Sequence, residues 1–455
     1  MAEMKLKSIV KKLLPNIVTE QIAGVRFRFK ARFWKKIGTM TDEQFLNYVV
    51  AGYCKKHPEE HRENVFKLVH ERENRSFETG KKRIVFVAEH VTGRLLKMAS
   101  ALHKCGWKID FLCGYNSQYI NVSNDDFKTC CERITYYDTF FELAYYLLVT
   151  DAPIVHYFTT WWSCFNACAI LEHKPLFPKI VIERYDIISG MYKLETLGVQ
   201  RESICECEKY ALENADGICQ REYSFEYLKN HLHYDLVPQQ ITFLDYYVSS
   251  TDELICREQD ELSMCYVGGL ITEKDQPQAY CACHLQFAKI CERQRCHYHL
   301  YPSFWDEAKL EDYINEQQKN AFFHLHRPVP FSELLAEISQ YDYGIFPVVG
   351  NYHDRMACDY GGYTFEKIIY AGTNKFFDYI AANLPIIAPT PIRMTKEMEK
   401  AGIALRWSIE EIDFDFLRQH KLEMKERVVS EKQNWSMETK IRELEDFYEK
   451  VKSQR

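Results

Sequence analysis

The chain has 455 residues, 46% of them hydrophobic and 27% charged, a globular composition too long for one hydrophobic core, so two or three domains are expected. Its net charge is −7, but residues 1–40 carry +8 and the remainder −15; with that acidic bulk and no recognised binding motif, a nucleic-acid partner is not expected. Seventeen cysteines have no regular spacing and form no C-x-x-C pair, and Met1-Ala-Glu-Met-Lys-Leu-Lys lacks an apolar export core, so the thiols read as small packed side chains in a reducing cytoplasm.

Residues 1–78 read as a separate, basic helical extension. Lys5, Leu6, Ile9, Val10, Leu13 and Leu14 have helical spacing, and Val25-Arg-Phe-Arg-Phe-Lys-Ala-Arg-Phe-Trp-Lys-Lys36 alternates cations with aromatic rings. Thr41 precedes an acidic first turn and should cap a helix. Residues 1–36 are either a surface for anionic lipid headgroups, which would place the protein peripherally at the inner face of the cell membrane, or the solvated face of a helical cap. The uncharged run Ile154–Leu171 contains His156, Thr159, Thr160, Ser163 and Asn166, too polar for hydrocarbon, and is not expected to span a membrane.

Arg83-Ile-Val-Phe-Val-Ala88 is a continuous apolar strand of the parallel-sheet kind, followed by a loop, a helix from Leu95 to Lys104 and a strand at Trp107–Cys113. That order is a βαβ unit, and the absence of G-x-G-x-x-G argues against a dinucleotide enzyme. Further strands are expected at Ile154–Phe158, Lys179–Glu183 and Thr242–Val248. Ala215–Lys229 reads as strand, turn and helix, with Arg221-Glu-Tyr-Ser at the turn. A first α/β domain thus covers 79–250 and a second 251–455. The second holds strands at His297–Tyr301, Ala321–His326 and Tyr343–Val349, a helix capped by Ser332, and a terminal helix at 437–451.

The centre of the second domain is Ala371-Gly-Thr-Asn-Lys-Phe-Phe-Asp-Tyr-Ile-Ala-Ala-Asn-Leu-Pro-Ile-Ile-Ala388, read as a loop, a helix capped by Thr373 or Asn374, and a buried strand. A helix start offers unpaired N–H groups and partial positive charge, which suits phosphate; Lys375 adds a cation and Asp378 an acceptor for ribose or sugar hydroxyls.

This stretch closely resembles the donor-nucleotide motif of GT-B glycosyltransferases, especially family 4-like bacterial enzymes. The resemblance extends more weakly over about residues 80 to 450, and Met264-Cys-Tyr-Val-Gly-Gly-Leu-Ile-Thr-Glu-Lys274 is similar to the family's entry into its donor domain. It implies two Rossmann-like domains facing a cleft, with the last helix packing back on the first domain, and transfer of a sugar from a UDP-, GDP- or ADP-sugar, retaining the anomeric configuration and requiring no metal or other cofactor. The acceptor would be a surface glycan or lipid-linked saccharide. Donor contacts fall on Gly268, Gly269, Lys274, Gly372, Thr373, Asn374, Lys375 and Asp378, with Glu366 standing in for the family's first acid, whose place holds Tyr370. Gly269 replaces the family's arginine. His156 takes the place of a family histidine at a strand end facing the donor sugar, and Glu183 or Asp186 can act on an acceptor hydroxyl, with Gly93 and Arg94 on the acceptor side. Those departures keep open a catalytically silent GT-B scaffold that binds glycan or a partner glycosyltransferase, and more remotely a sugar-nucleotide epimerase. Asp413-Phe-Asp415 and the cysteines near His284 are not expected to bind metal.

Overall fold

The computed structural model describes residues 16–73, 81–114, 124–160, 162–191, 201–249, 254, 261–270, 283–347, 366–370 and 372–454. Two parallel sheets organise them. The first contains β1 (Arg83–Ala88), β2 (Lys108–Gly114), β3 (Arg133–Tyr137), β4 (Ile154–Thr159), β5 (Lys179–Arg184), β6 (Gly217–Gln220) and β7 (Gln240–Thr242), in the order β3-β2-β1-β4-β5-β6-β7. The second contains β8 (Leu262–Gly268), β9 (Cys296–Pro302), β10 (Phe323–Leu325), β11 (Tyr343–Ile345), β12 (Ile386–Ala388) and β13 (Ala404–Arg406), in the order β10-β9-β8-β11-β12-β13. Strands β1, β4, β5 and β8 are nearly unbroken apolar runs because helices cover both faces of each sheet. Strand order reverses between β1 and β4 and again between β8 and β11, and open α/β sheets hold ligands beyond the carboxyl ends at such points. These are two Rossmann-like domains.

Some local expectations change. Strand β3 escapes the pattern because it is an edge strand with mostly half-exposed side chains. Only Gln240–Thr242 pairs at the end of the first sheet; Phe243–Tyr247 is buried without a ladder, apart from a bridge from Tyr247 to Ser436. Ser332 is not a cap: that helix, Phe331–Ser339, begins after Pro330.

The basic extension is not a separate piece. Its helices Asn16–Ile37, Asp42–Lys56 and Arg62–Glu73 share one core with Val85, Val87, Leu143 and Tyr157 of the first domain. As a helix, Val25–Ile37 turns Phe27, Ala31, Trp34 and Ile37 inward at three- and four-residue spacing and leaves Arg26, Arg28, Phe29 and Arg32 outside. Phe27 stacks on Trp162 at 3.9 Å, and Trp34 Nε1 donates to Glu172 at 2.8 Å. Thr41 does cap the second helix, in a reciprocal box with Gln44.

At the other end, Met437–Lys452 lies on the first sheet. Ser436 caps it, and Ile441, Leu444, Phe447, Tyr448 and Val451 are buried. Glu445 accepts from Trp107 Nε1 and Lys82 Nζ, and a Cβ on Gly217 would fall 2.7 Å from Val451. Among the described residues, no helix is long and apolar enough to cross a membrane.

Candidate functional site

The second domain's half of the cleft is built from the helix Asn374–Ala381. Phe376, Phe377 and Ile380 are fully buried, and the Tyr379 hydroxyl donates to Ile345 O and accepts from Val267 N, fixing the helix start beside the carboxyl ends of β11 and β8. Thr373 stands at the N-cap position, but its side chain caps no N–H group; its hydroxyl instead accepts from Lys375 Nζ at 3.3 Å. Among the described residues, the first turn therefore keeps donors for a ligand beyond the Phe376 N–H, which reaches back to Thr373 O at 3.4 Å. Lys375 Nζ sits over the rings of Tyr266 and Phe346, 5.1 and 5.0 Å from their centres. Burial, aided by the nearby Arg221 charge and opposed by Asp378, lowers its pKa to about 8. Strand β8 delivers Gly268 against this lysine at φ 134°, a conformation that favours glycine, and a Cβ there would meet Lys375 Cε at 3.3 Å. Gly269 is exposed and accepts from the Tyr266 hydroxyl. Lys274 lies outside the described residues.

The first domain meets this helix start directly. Arg221 and Glu222, just past β6, clasp Gly372 from both sides. Arg221 Nη2 donates to Gly372 O at 2.7 Å and to Asn374 Oδ1 at 3.2 Å, while Glu222 accepts from the Gly372 N–H. The backbones are so close that a Cβ on Gly372 would lie 2.5 Å from Arg221 O. Close approach, rather than turn freedom, is why a glycine sits here. Asp245 pairs with Arg221 at 2.8 Å from below, and Tyr185 stacks under its guanidinium at 4.5 Å. Nearby, Lys97 reaches across to Asp378 at 3.5 Å. Burial and the charge of Asp186, which follows β5, push the Glu222 carboxyl up to about 8. Glu222 and Glu366 line one narrow hollow with Ile187, Gly190, Tyr227 and Tyr370. Gly93, at the start of the helix Gly93–Lys104, faces open space, with Thr92 capping that helix.

Three expected site residues lie together, but deep in the first domain. His156 is the third residue of β4 rather than at its end, and it is fully buried. Its Nδ1 shares a 2.6 Å hydrogen bond with the Tyr448 hydroxyl of the terminal helix, and its Nε2 lies 3.3 Å from Glu183. Glu183, within β5, receives a two-pronged contact from Arg94 at 2.7 and 3.0 Å, and Arg94 also donates to Leu244 O and Asp245. Burial alone would raise the Glu183 carboxyl, but Arg94 and His156 outweigh it and hold it down at about 2. These groups join β4, β5 and two helices into one polar core, and none can reach a substrate while Tyr448 is in place. Asp413 caps the helix Phe414–Glu431, which accounts for the D-x-D spelling. His284 is buried against the Tyr298 hydroxyl, while Cys281 lies outside the described residues.

Sequence reasoning passed over Arg221, Glu222 and Lys97 as site residues. The available signal was an Arg-Glu pair directly after a short buried strand, where parallel sheets present ligand groups.

No family model matches the chain, and no curated protein matches it in sequence. Among solved structures, a mutant O-GlcNAc transferase of Thermobaculum terrenum superposes with a TM-score of 0.53 at 11% identity, over 94% of this chain and 77% of that one. A putative UDP-N-acetylglucosamine 2-epimerase from Listeria monocytogenes gives 0.48 at 10% identity, over 80% and 94%. Acinetobacter baumannii MurG gives 0.43 at 13% identity, over 81% and 99%. At such identities the likeness is one of fold, and the superposition at a TM-score of 0.53 agrees with two Rossmann-like domains. The chain has a two-domain GT-B architecture, two Rossmann-like domains each built on a parallel sheet.

Proposed function

We propose that this protein is a glycosyltransferase that takes a sugar from a nucleoside-diphosphate donor. The observation that carries the reading is the uncapped, lysine-bearing helix start at the second sheet's switch point, held against Arg221 and Glu222 of the first domain. Breaking the sugar–phosphate bond places negative charge on the diphosphate, and Lys375 with the N–H groups of Thr373–Lys375 supplies compensation there without a metal. Lys274 is assigned a second phosphate contact on the family resemblance alone. Asp378 takes the ribose, and Glu366 the donor sugar in place of the missing first acid. Glu222, which keeps its proton near neutrality, and Asp186 are the groups best placed to exchange a proton with an acceptor hydroxyl. His156, Glu183 and Arg94 act by positioning. The acceptor is a glycan or lipid-linked saccharide, and the family resemblance implies retention of configuration.

The exposed face of the first helix supports docking on an anionic membrane: Phe29 and Val25 are 72% and 57% exposed between Arg26, Arg28 and Arg32. Tyr370, at the place of the first acid, favours one rival, a scaffold that binds nucleotide without turning it over. A panel of UDP-, GDP- and ADP-sugars separates them. The transferase reading expects one donor to raise the melting temperature and to be hydrolysed or transferred; binding without turnover favours the scaffold, and no binding by any donor sinks both.

A further inference from the structure

A second cluster of reactive side chains lies on the outer strands of the second sheet. Strands β9 and β10 run parallel with His324 opposite His299. Strand alternation puts His297, His299 and Tyr301 of β9 on one face, and His324 and His326 of β10 beside them. The other face carries Tyr298, Leu300, Phe323 and Leu325 into the core, so the histidines are not needed to fill it. They are half-buried. His297 Nδ1 lies 2.8 Å from His324 Nε2, and His299 Nδ1 lies 2.9 Å from His326 Nε2. One ligand nitrogen from each of His297, His299 and His324 falls within 4.8 Å of the other two. Tyr341 stacks on His299 at 4.2 Å and limits solvent on that side. Glu261 completes the arrangement, its carboxylate 2.9 Å from His297 Nε2, the nitrogen that points away from the cluster.

We propose that His297, His299 and His324 bind a divalent transition-metal ion of the zinc type, with Glu261 orienting His297 from behind. Three imidazoles suit zinc and its neighbours, and a carboxylate on the far nitrogen of a metal-bound histidine fixes the ring and makes it a better ligand. Zinc–nitrogen bonds of about 2.0–2.1 Å require nitrogens roughly 3.3 Å apart around a tetrahedron, within side-chain rotation from the present positions. Water takes the fourth place. The ion ties edge strand β10 to β9, on the other side of β8 from the β8–β11 switch point, and the inference does not depend on sugar transfer.

The test uses the full-length, untagged protein stripped with chelator and titrated with Zn²⁺ by calorimetry and with Co²⁺ by absorption. The expected result is one ion per chain, visible Co²⁺ bands without thiolate charge transfer, and affinity lowered at least about tenfold in His297→Ala and His324→Ala. Glu261→Gln, which keeps the side-chain volume, should lose about tenfold as well and covers the case in which an alanine variant fails to fold. No saturable binding, or binding unchanged in these variants, overturns the proposal. Strong thiolate charge transfer does so too, by placing the ion on the buried thiols of Cys164, Cys168 and Cys207.

Discussion

Replacing Lys375 with Met removes the cation from the helix start while keeping a chain of similar length over Tyr266 and Phe346. A charge-assisted contact to phosphate is worth about 1.5–3 kcal/mol, so nucleoside diphosphate should bind about ten- to a hundredfold more weakly. The acid–base behaviour makes the test sharper. In the free protein Lys375 titrates at about 8 because burial disfavours its charge. A bound diphosphate favours the charged amine and raises that value. Affinity is therefore full below about pH 8 and falls as pH rises, by about tenfold per unit, until the bound-state pKa is reached. Calorimetry from about pH 7 to 9.5, above the range where the phosphate itself titrates, should show this slope in a Glu222→Gln background, which removes the neighbouring carboxyl also held near 8, and a flat line once Lys375→Met is added. A variant that binds within about twofold of wild type, or keeps the slope, would refute the placement of the diphosphate at Lys375.

Gly372→Ala forces a Cβ to 2.5 Å from Arg221 O, so the clasp must open; nucleotide affinity should drop at least about tenfold with the circular dichroism unchanged, and full affinity would mean the loop has room. Arg94→Met leaves Glu183 buried without its cation and should cost about 3–5 kcal/mol by urea unfolding; a loss below about 1 kcal/mol would show that the core does not rely on the pair. Glu183, held at about 2, contributes stability that is complete above the ordinary carboxylate pKa of about 4.3 and is lost as pH falls towards 2, a slope that Glu183→Gln should lack in acid titrations. Phe29→Glu should abolish flotation with anionic liposomes without changing the melting temperature, and persistent flotation would remove this helix face from the membrane reading.

How far the sequence could be read depended on the range of the interaction. Apolar runs such as Arg83–Ala88 and Lys179–Arg184 disclosed buried parallel strands because their pattern is local to each strand. The helix Asn374–Ala381 was legible for the same reason: Phe376, Phe377 and Ile380 share a face at helical spacing. Strand β3 was not, since an edge strand needs no apolar alternation.

The sequence by itself determined two α/β domains and the segment that forms the helix Asn374–Ala381. The tertiary structure decided what surrounds it. Arg221 and Glu222 lie about 150 residues before Gly372, and only folding brings their backbones into contact. In the same way a histidine that looked like a strand-end catalyst is sealed by Tyr448, 292 residues later. A residue's spacing reveals its secondary structure, but its exposure and its charge partners depend on what the rest of the chain places over it.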